Sequence, residues 1–346
     1  MLKQDSATFD LSALAARKWR RGLFIVLLLT VIMVLFSVVS LSMGSMRIPI
    51  GNVIGVLLGK SDPTNSLVIL QLRLPRIVAA ILIGAALAVS GAVLQGMIRN
   101  PLAAPDLIGV TGGASVAAVA FITLSAGKLS IHWLPLVAIA GAFLTAGMNY
   151  LLAWKNGVSP FRLVLIGIGI ATAMGALTTF LLISGPAYLA SQVLNWMTGS
   201  IYGTAWKHVG ALTPWIAIFI PLSCFYAKEL NVQALGESLA IGLGSQIQRT
   251  RLMLLFISVA LAGAAVGIAG TISFIGLLAP HMARRLVGPS HGILLPVSAL
   301  LGALVLLAAD LAGRMLFQPL DVPAGVFTAG IGAPFFLYLL FKRRAN

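Results

Sequence analysis

The sequence predicts an all-α polytopic membrane protein with about ten transmembrane helices. Three observations carry this expectation. Apolar residues fill 59% of the 346 positions and charged residues 9%, where a soluble domain has about 25% charged. The mean hydropathy is +1.03. Leu23–Met43 runs 21 residues without a charge, and about 20 apolar residues cross the hydrocarbon. A water-soluble fold would expose most of this apolar area, and a disordered chain of this composition would collapse. The one cysteine, Cys224, excludes a disulfide framework and a cysteine-based metal site.

The first span is too long for the core of a signal peptide, and Ser42–Gly44 makes a poor cleavage site. Later spans are expected near Ile77–Ile98, Leu107–Ala126, Trp133–Trp154, Leu163–Ser184, Leu212–Ala227 and Leu252–Gly270. A short eighth lies within Phe274–Met282, and the last two lie near Leu294–Phe317 and Pro323–Phe341. Prolines 135, 214, 280, 296 and 334 imply kinks or breaks, tolerated in lipid only where protein or a cavity covers the freed carbonyls. Small residues four apart (Gly84 with Ala88, Gly109 with Gly113, Gly263 with Gly267) permit close helix packing.

Charge sets the orientation. With the N-terminus inside, 16 basic residues fall on the inner side and seven on the outer, which the positive-inside bias favours. Both termini are then cytoplasmic. The net charge of +15 is largely topological and faces anionic lipid; nucleic acid is not needed to explain it. Residues 1–22 read as a basic cytoplasmic tail and 23–346 as the membrane domain.

Two outer loops are long, Gly44–Arg76 with the amphipathic stretch Val53–Leu58, and Gly185–Gly210 with an aromatic segment suited to the interface. The inner loop 228–251 holds both glutamates, Glu229 and Glu237. It fits two short helices broken at Gly236 and again at Gly242 and Gly244, and reads as a docking surface for a cytoplasmic partner.

Other chemistries are excluded. Gly55–Ser61 has Ile54 where a phosphate loop needs its first glycine. None of the four histidines has ligand spacing, and eight acids, mostly in loops, cannot supply a paired-carboxylate site. His281, after Pro280, reads as a capping or interfacial residue. No ionisable chain crosses the spans, which argues against an ion-driven pump. No catalytic residue, cofactor or metal is expected. Asp310 and Arg314, four apart on one helix, can pair. Arg73 and Arg76 flank the outer start of the second span, and these external arginines could bind lipid phosphate or carboxylates of an external protein. Gly84–Gly91 echoes Ser258–Ala265 in the opposite direction across the membrane, the pattern of an inverted repeat.

Several segments occur together in order: Leu72-Arg-Leu-Pro-Arg76, Ser90-Gly-Ala-Val-Leu-Gln-Gly96, Arg99-Asn-Pro-Leu-Ala-Ala-Pro-Asp-Leu-Ile-Gly109, Thr111–Ala114, Leu235-Gly-Glu237, Gly270–His281 with Arg284, Ala309-Asp310, Arg314 and Gly330–Phe335. From about Leu23 to the C-terminus the chain resembles the FecCD-type permeases, the iron-siderophore and vitamin B12 class of ABC importers. The resemblance implies a ten-helix type II importer permease in the bacterial cytoplasmic membrane. Its implied partners are a second permease subunit, with a heterodimer favoured, two cytoplasmic ATP-binding subunits and an external substrate-binding protein. Carried over, Leu235, Gly236, Glu237, Ala240 and Gly244 contact the ATPase, while Arg73, Arg76 and Arg314 meet acidic residues of the binding protein. A ferric siderophore is the expected cargo, with haem or cobalamin as alternatives. A lone ion-coupled transporter, or a channel or scaffold, are readings of other classes.

Overall fold

The computed structural model describes residues 11–44, 46–60, 63–125 and 129–344. The first ten residues of the expected basic tail, together with Ser61 and Lys128, lie outside the described residues. Among the described residues, ten helices of 13 residues or more follow one another: α1 (Leu11–Ser42), α2 (Leu74–Ile98), α3 (Val110–Ser125), α4 (Leu134–Ala153), α5 (Pro160–Ser184), α6 (Trp206–Phe225), α7 (Ile247–Ala269), α8 (Ile275–Val287), α9 (His291–Leu316) and α10 (Ala324–Arg344). Among the described residues, seven stretches are long and apolar enough to cross a membrane: α1 from Ala16, Pro63–Ile98, Ile131–Ala153, α5, α6, α7 and α9. The chain is an all-α polytopic membrane protein.

Departures from the expected boundaries have local causes. The third helix starts at Val110 rather than Leu107, because Pro105–Ile108 forms a 3-10 turn and Gly109 takes a φ of +83°. The eighth has 13 residues, about 20 Å of helix against about 30 Å of hydrocarbon. The sixth begins six residues early, at Trp206 instead of Leu212. Pro135 kinks nothing: it sits in the first turn of α4, where its missing N–H costs no bond. Helices α6, α8, α9 and α10 instead run on through Pro214 and Pro221, Pro280, Pro296 and Pro334.

Helices α2 and α7 form the buried centre, and small residues let backbones touch there. The most extensive helix pair is α2 with α9. A Cβ on Gly84 would stand 2.3 Å from the Gly302 carbonyl oxygen, and one on Gly91 would stand 1.8 Å from that of Gly276. Larger residues at either position would force the helices apart. Of the pairs read from the sequence, Gly84 and Ala88 both face Gly302, Gly113 faces Gly141 and Gly267 faces Pro135, while Gly109 lies in the turn before α3 and meets the side chains of Thr145 and Ile170. Helices α2 and α7 also exchange hydroxyl bonds, with Ser90 Oγ 2.7 Å from Ser258 Oγ and donating to the Ser258 carbonyl at 2.8 Å.

Helix α9 runs antiparallel to α2, so Arg76 meets Asp310 at one end and Gly96 meets His291 at the other. The first end is called outer and the second inner, following the charge bias. By contrast, α1 exposes large side chains such as Phe24, Leu27 and Leu35, as a lipid-facing helix does.

Candidate functional site

The outer end joins Arg76 and Arg314 in one network through Asp310 and places Arg73 beside it. Pro75 sits in the first turn of α2, and the π-helix Leu67–Arg73 precedes it. Arg76 Nε donates to Asp310 Oδ1 at 2.8 Å, and its two terminal nitrogens fork onto Asp321 at 2.7 and 2.8 Å. Its guanidinium also lies 5.6 Å from the centre of the Tyr202 ring. Arg314 pairs with the other oxygen of Asp310 at 3.2 Å and donates to Ser40 Oγ at 2.7 Å. Arg73 donates to the carbonyls of Leu41, at 2.6 Å, and Met46; Gly44 leaves the room its guanidinium needs.

Asp310 is 1% exposed, Arg76 11% and Arg314 9%, whereas Asp321 is 26% exposed. Arg76 and Arg314 therefore meet on Asp310, where the four-residue spacing implied only the Asp310–Arg314 pair, and each of the three arginines is already bonded inside the chain. Asp321 and Ser40 are partners that no local pattern announced. On the same face Arg47, Lys60 and Lys207 stay exposed, and Lys207 Nζ lies 3.2 Å from the His132 ring. The amphipathic outer stretch forms a helix, Ile50–Leu57, with Val53 and Val56 buried. Residues 55–60 of the phosphate-loop lookalike fall on this helix and its turn.

At the inner end, the loop after α6 folds as two short helices, Ala227–Ala234 and Glu237–Gly242. Gly236 separates them with a φ of +113°, and Gly244 ends the second with +81°, conformations that only glycine adopts freely. Arg251 Nη2 donates to Glu237 Oε2 at 3.0 Å, and its Nη1 to the Val158 carbonyl at 2.8 Å. Gln248 accepts from the Val158 N–H at 2.9 Å, and Ser245 donates to Glu229 at 2.8 Å. The Arg251–Glu237 bond holds the loop on α7, the bonds to Val158 tie α7 to the turn before α5, the Ser245–Glu229 bond closes the loop on itself, and Ala240 is buried. Leu235, Leu239, Ile241 and Leu243 are left 58–65% exposed. Glu237, read from the sequence as a partner contact, is bonded to its own chain.

Other groups line this end. Asp106, in the loop between α2 and α3, has its carboxyl pushed above the ordinary range by burial, against an opposing hydrogen bond from Thr111. Gln95 accepts from Arg284 at 3.3 Å. His281 stacks edge-on against Phe335, with ring centres 5.7 Å apart. No group of three or more His, Cys, Asp or Glu side chains able to hold a metal occurs among the described residues.

Such a molecule, with an ion-bonded outer face and an ordered apolar inner loop, has close relatives. The chain is 48% identical to the Bacillus subtilis protein named "Probable siderophore transport system permease protein YfhA", over 97% of this chain and 98% of that one. It is 44% identical to the achromobactin transport system permease protein CbrC of Dickeya dadantii, over 94% and 96% of the two chains. A solved structure described as an inward-facing metal-chelate type ABC transporter matches with a TM-score of 0.83 at 33% identity. It covers 92% of this chain and 99% of its own. The model of the FecCD transport family matches residues 29–342, and this chain belongs to that family.

Proposed function

We propose that this chain is the permease subunit of an ATP-driven importer that carries a ferric siderophore across the bacterial cytoplasmic membrane by alternating access. One observation carries the mechanism. An ordered inner loop of a membrane protein, without a nucleotide motif of its own, presents four exposed apolar side chains to the cytoplasm. Such a surface calls for a protein partner, and ATP hydrolysis then belongs to that partner. The names of the relatives support the siderophore as cargo.

In this reading the seven long spans together with α3, α8 and α10 make ten crossings, which returns both termini to the cytoplasm. Packing supports an inverted repeat: α2 lies on α9 as α7 lies on α4, and α3 lies on α4 as α8 lies on α9. The permease domain spans 23–346, with 228–251 as its coupling loop. Leu235, Leu239, Ile241 and Leu243 bind the ATPase, with Gly236 and Gly244 shaping the loop, Ala240 anchoring it and Glu237 holding it to Arg251. Helix α5 leaves Gly169, Thr172, Ala173, Gly175, Ala176 and Thr179 exposed. Large apolar residues flank this stretch (Leu165, Ile168, Phe180 and Ile183 are also exposed), and its small and hydroxyl-bearing middle suits a translocation path shared with a second, different permease subunit.

On the outer face, Arg47, Lys60 and Lys207 attract an acidic binding protein. Arg73, Arg76 and Arg314 then supply fixed positive charge beneath them. A docking carboxylate reaches Arg76 by displacing Asp321, the most exposed member of the network.

The permease does no covalent chemistry. Nucleotide, binding protein and cargo each favour one of two packed states, and their differential binding moves the population between them. The deciding experiment is ferric-siderophore uptake by iron-starved cells with and without the gene, beside haem and cobalamin uptake and a catalytically dead partner ATPase. Loss of one iron complex in both strains is the expected result. Loss of haem or cobalamin uptake alone would correct the cargo. Gradient-driven uptake by the chain without an ATPase would replace the mechanism.

A further inference from the structure

At the inner end, one side chain ties the exposed loop to the central helix pair. Asn231, on the short helix Ala227–Ala234, accepts two hydrogen bonds at Oδ1, from the His291 backbone N–H at 2.9 Å and from His291 Nδ1 at 2.9 Å. The backbone bond fixes the amide, because only its oxygen can accept from N–H. The ring nitrogen facing that same oxygen must then carry its proton. His291 is the first residue of α9, and Ser290 before it provides no side-chain cap. Asn231 thus caps α9 from another helix.

The His291 residue is 5% exposed and its ring is wedged against the inner end of α2. A Cβ on Gly96 would lie 2.6 Å from His291 Nε2 and 2.9 Å from Leu230 Cδ2. The loop, α2 and α9 therefore meet at one point. From there α2 and α9 run together, backbone against backbone at Gly84 and Gly302, to the Arg76–Asp310 pair at the outer end. Two helices in backbone contact and joined at both ends move as one body.

We propose that Asn231 is the positioning residue through which displacement of the inner loop is passed to the α2–α9 pair, and so to the outer arginine network. The proposal rests on the reading of that loop as the ATPase contact. Without Asn231 the loop still moves when nucleotide binds its partner, but α9 no longer follows.

The test uses the assembled complex with Cys224 replaced by Ser and spin labels in two pairs. Ser238 with Leu152 reports the inner end, and Leu316 with Leu124 the outer; all four are exposed. Distances are measured with and without ATP and vanadate. In the parent both pairs shift. In Asn231→Leu only the inner pair shifts, and transport per ATP hydrolysed falls roughly tenfold. Asn231→Asp keeps an acceptor oxygen and restores both. His291→Ala keeps the backbone bond and loses the ring, giving a partial loss; it serves where Asn231→Leu does not assemble. An undiminished outer shift in Asn231→Leu, or Asn231→Asp behaving like Asn231→Leu, overturns the proposal. A parent in which neither pair responds overturns the reading of the loop, and the joint with it.

Discussion

The two ends of this molecule solve opposite problems. The outer end is rich in charge, yet Arg73, Arg76 and Arg314 are folded inward, with Asp310 shared by Arg76 and Arg314 at 1% exposure. The inner end is rich in leucine and isoleucine, yet its apolar side chains point outward, while Glu237 and Arg251 do the internal fastening. Buried charges must be matched, because an unpaired ion in low dielectric is expensive. Exposed apolar groups must be covered, because water is their worst neighbour. In the proposed function the first end, internally complete, meets its partner by exchanging counter-ions, and the second, left incomplete, meets its partner by burial.

The largest effect should come from breaking the outer network at its centre. Asp310→Ala leaves two buried arginines without their shared acid and costs about 3–5 kcal/mol, read as a lower unfolding midpoint of the purified chain. At the inner end, Leu239→Glu with Leu243→Glu should abolish co-purification of the ATPase, at about 2 kcal/mol or more for each site, with no loss of membrane insertion. Insensitivity of that complex to salt would confirm apolar contact, since only the outer docking should weaken as ionic strength rises.

Smaller changes sharpen the contrast. Glu237→Lys sets a cation against Arg251, loosens the loop and should reduce substrate-stimulated ATP hydrolysis roughly tenfold; normal stimulation would remove Glu237 from the mechanism. Asp321→Asn removes the displaceable counter-ion of Arg76. Binding-protein affinity should rise by up to about fivefold, most at low salt, in a surface-binding assay; unchanged or weaker docking would dismiss the exchange. The smallest effect concerns Asp106. Burial raises its folded pKa above the ordinary 3.8, so stability present below that value is lost as pH rises through the folded pKa. Asp106→Asn should therefore raise the unfolding midpoint near neutral pH and leave it unchanged well below pH 4 by comparison.

Much of this was legible from residue order alone. Breaks at Gly236 and Gly244 announce the two short inner helices, because glycine alone takes positive φ freely. The Asp310–Arg314 pair follows from four-residue spacing on a helix. Gly84 and Ala88 mark a close crossing. What escaped were the partners. Arg76 is 234 residues from Asp310 and 245 from Asp321, and His291 is 60 from Asn231. A charge count places arginines near helix ends but cannot say whether they face solvent or an acid of their own chain. Pro135 was misread for a related reason, since a proline reads alike in the first turn and in mid-helix until the start of the helix is known.

Residue order alone set the class of solvent, the order of the helices and the family, because hydropathy and ordered motifs are one-dimensional properties. Only the tertiary structure decided which arginines are buried, which leucines are left bare and which helix caps α9. Those outcomes depend on which segments, remote along the chain, come within hydrogen-bond distance, and that is set by the packing of small residues between helices rather than by any local period.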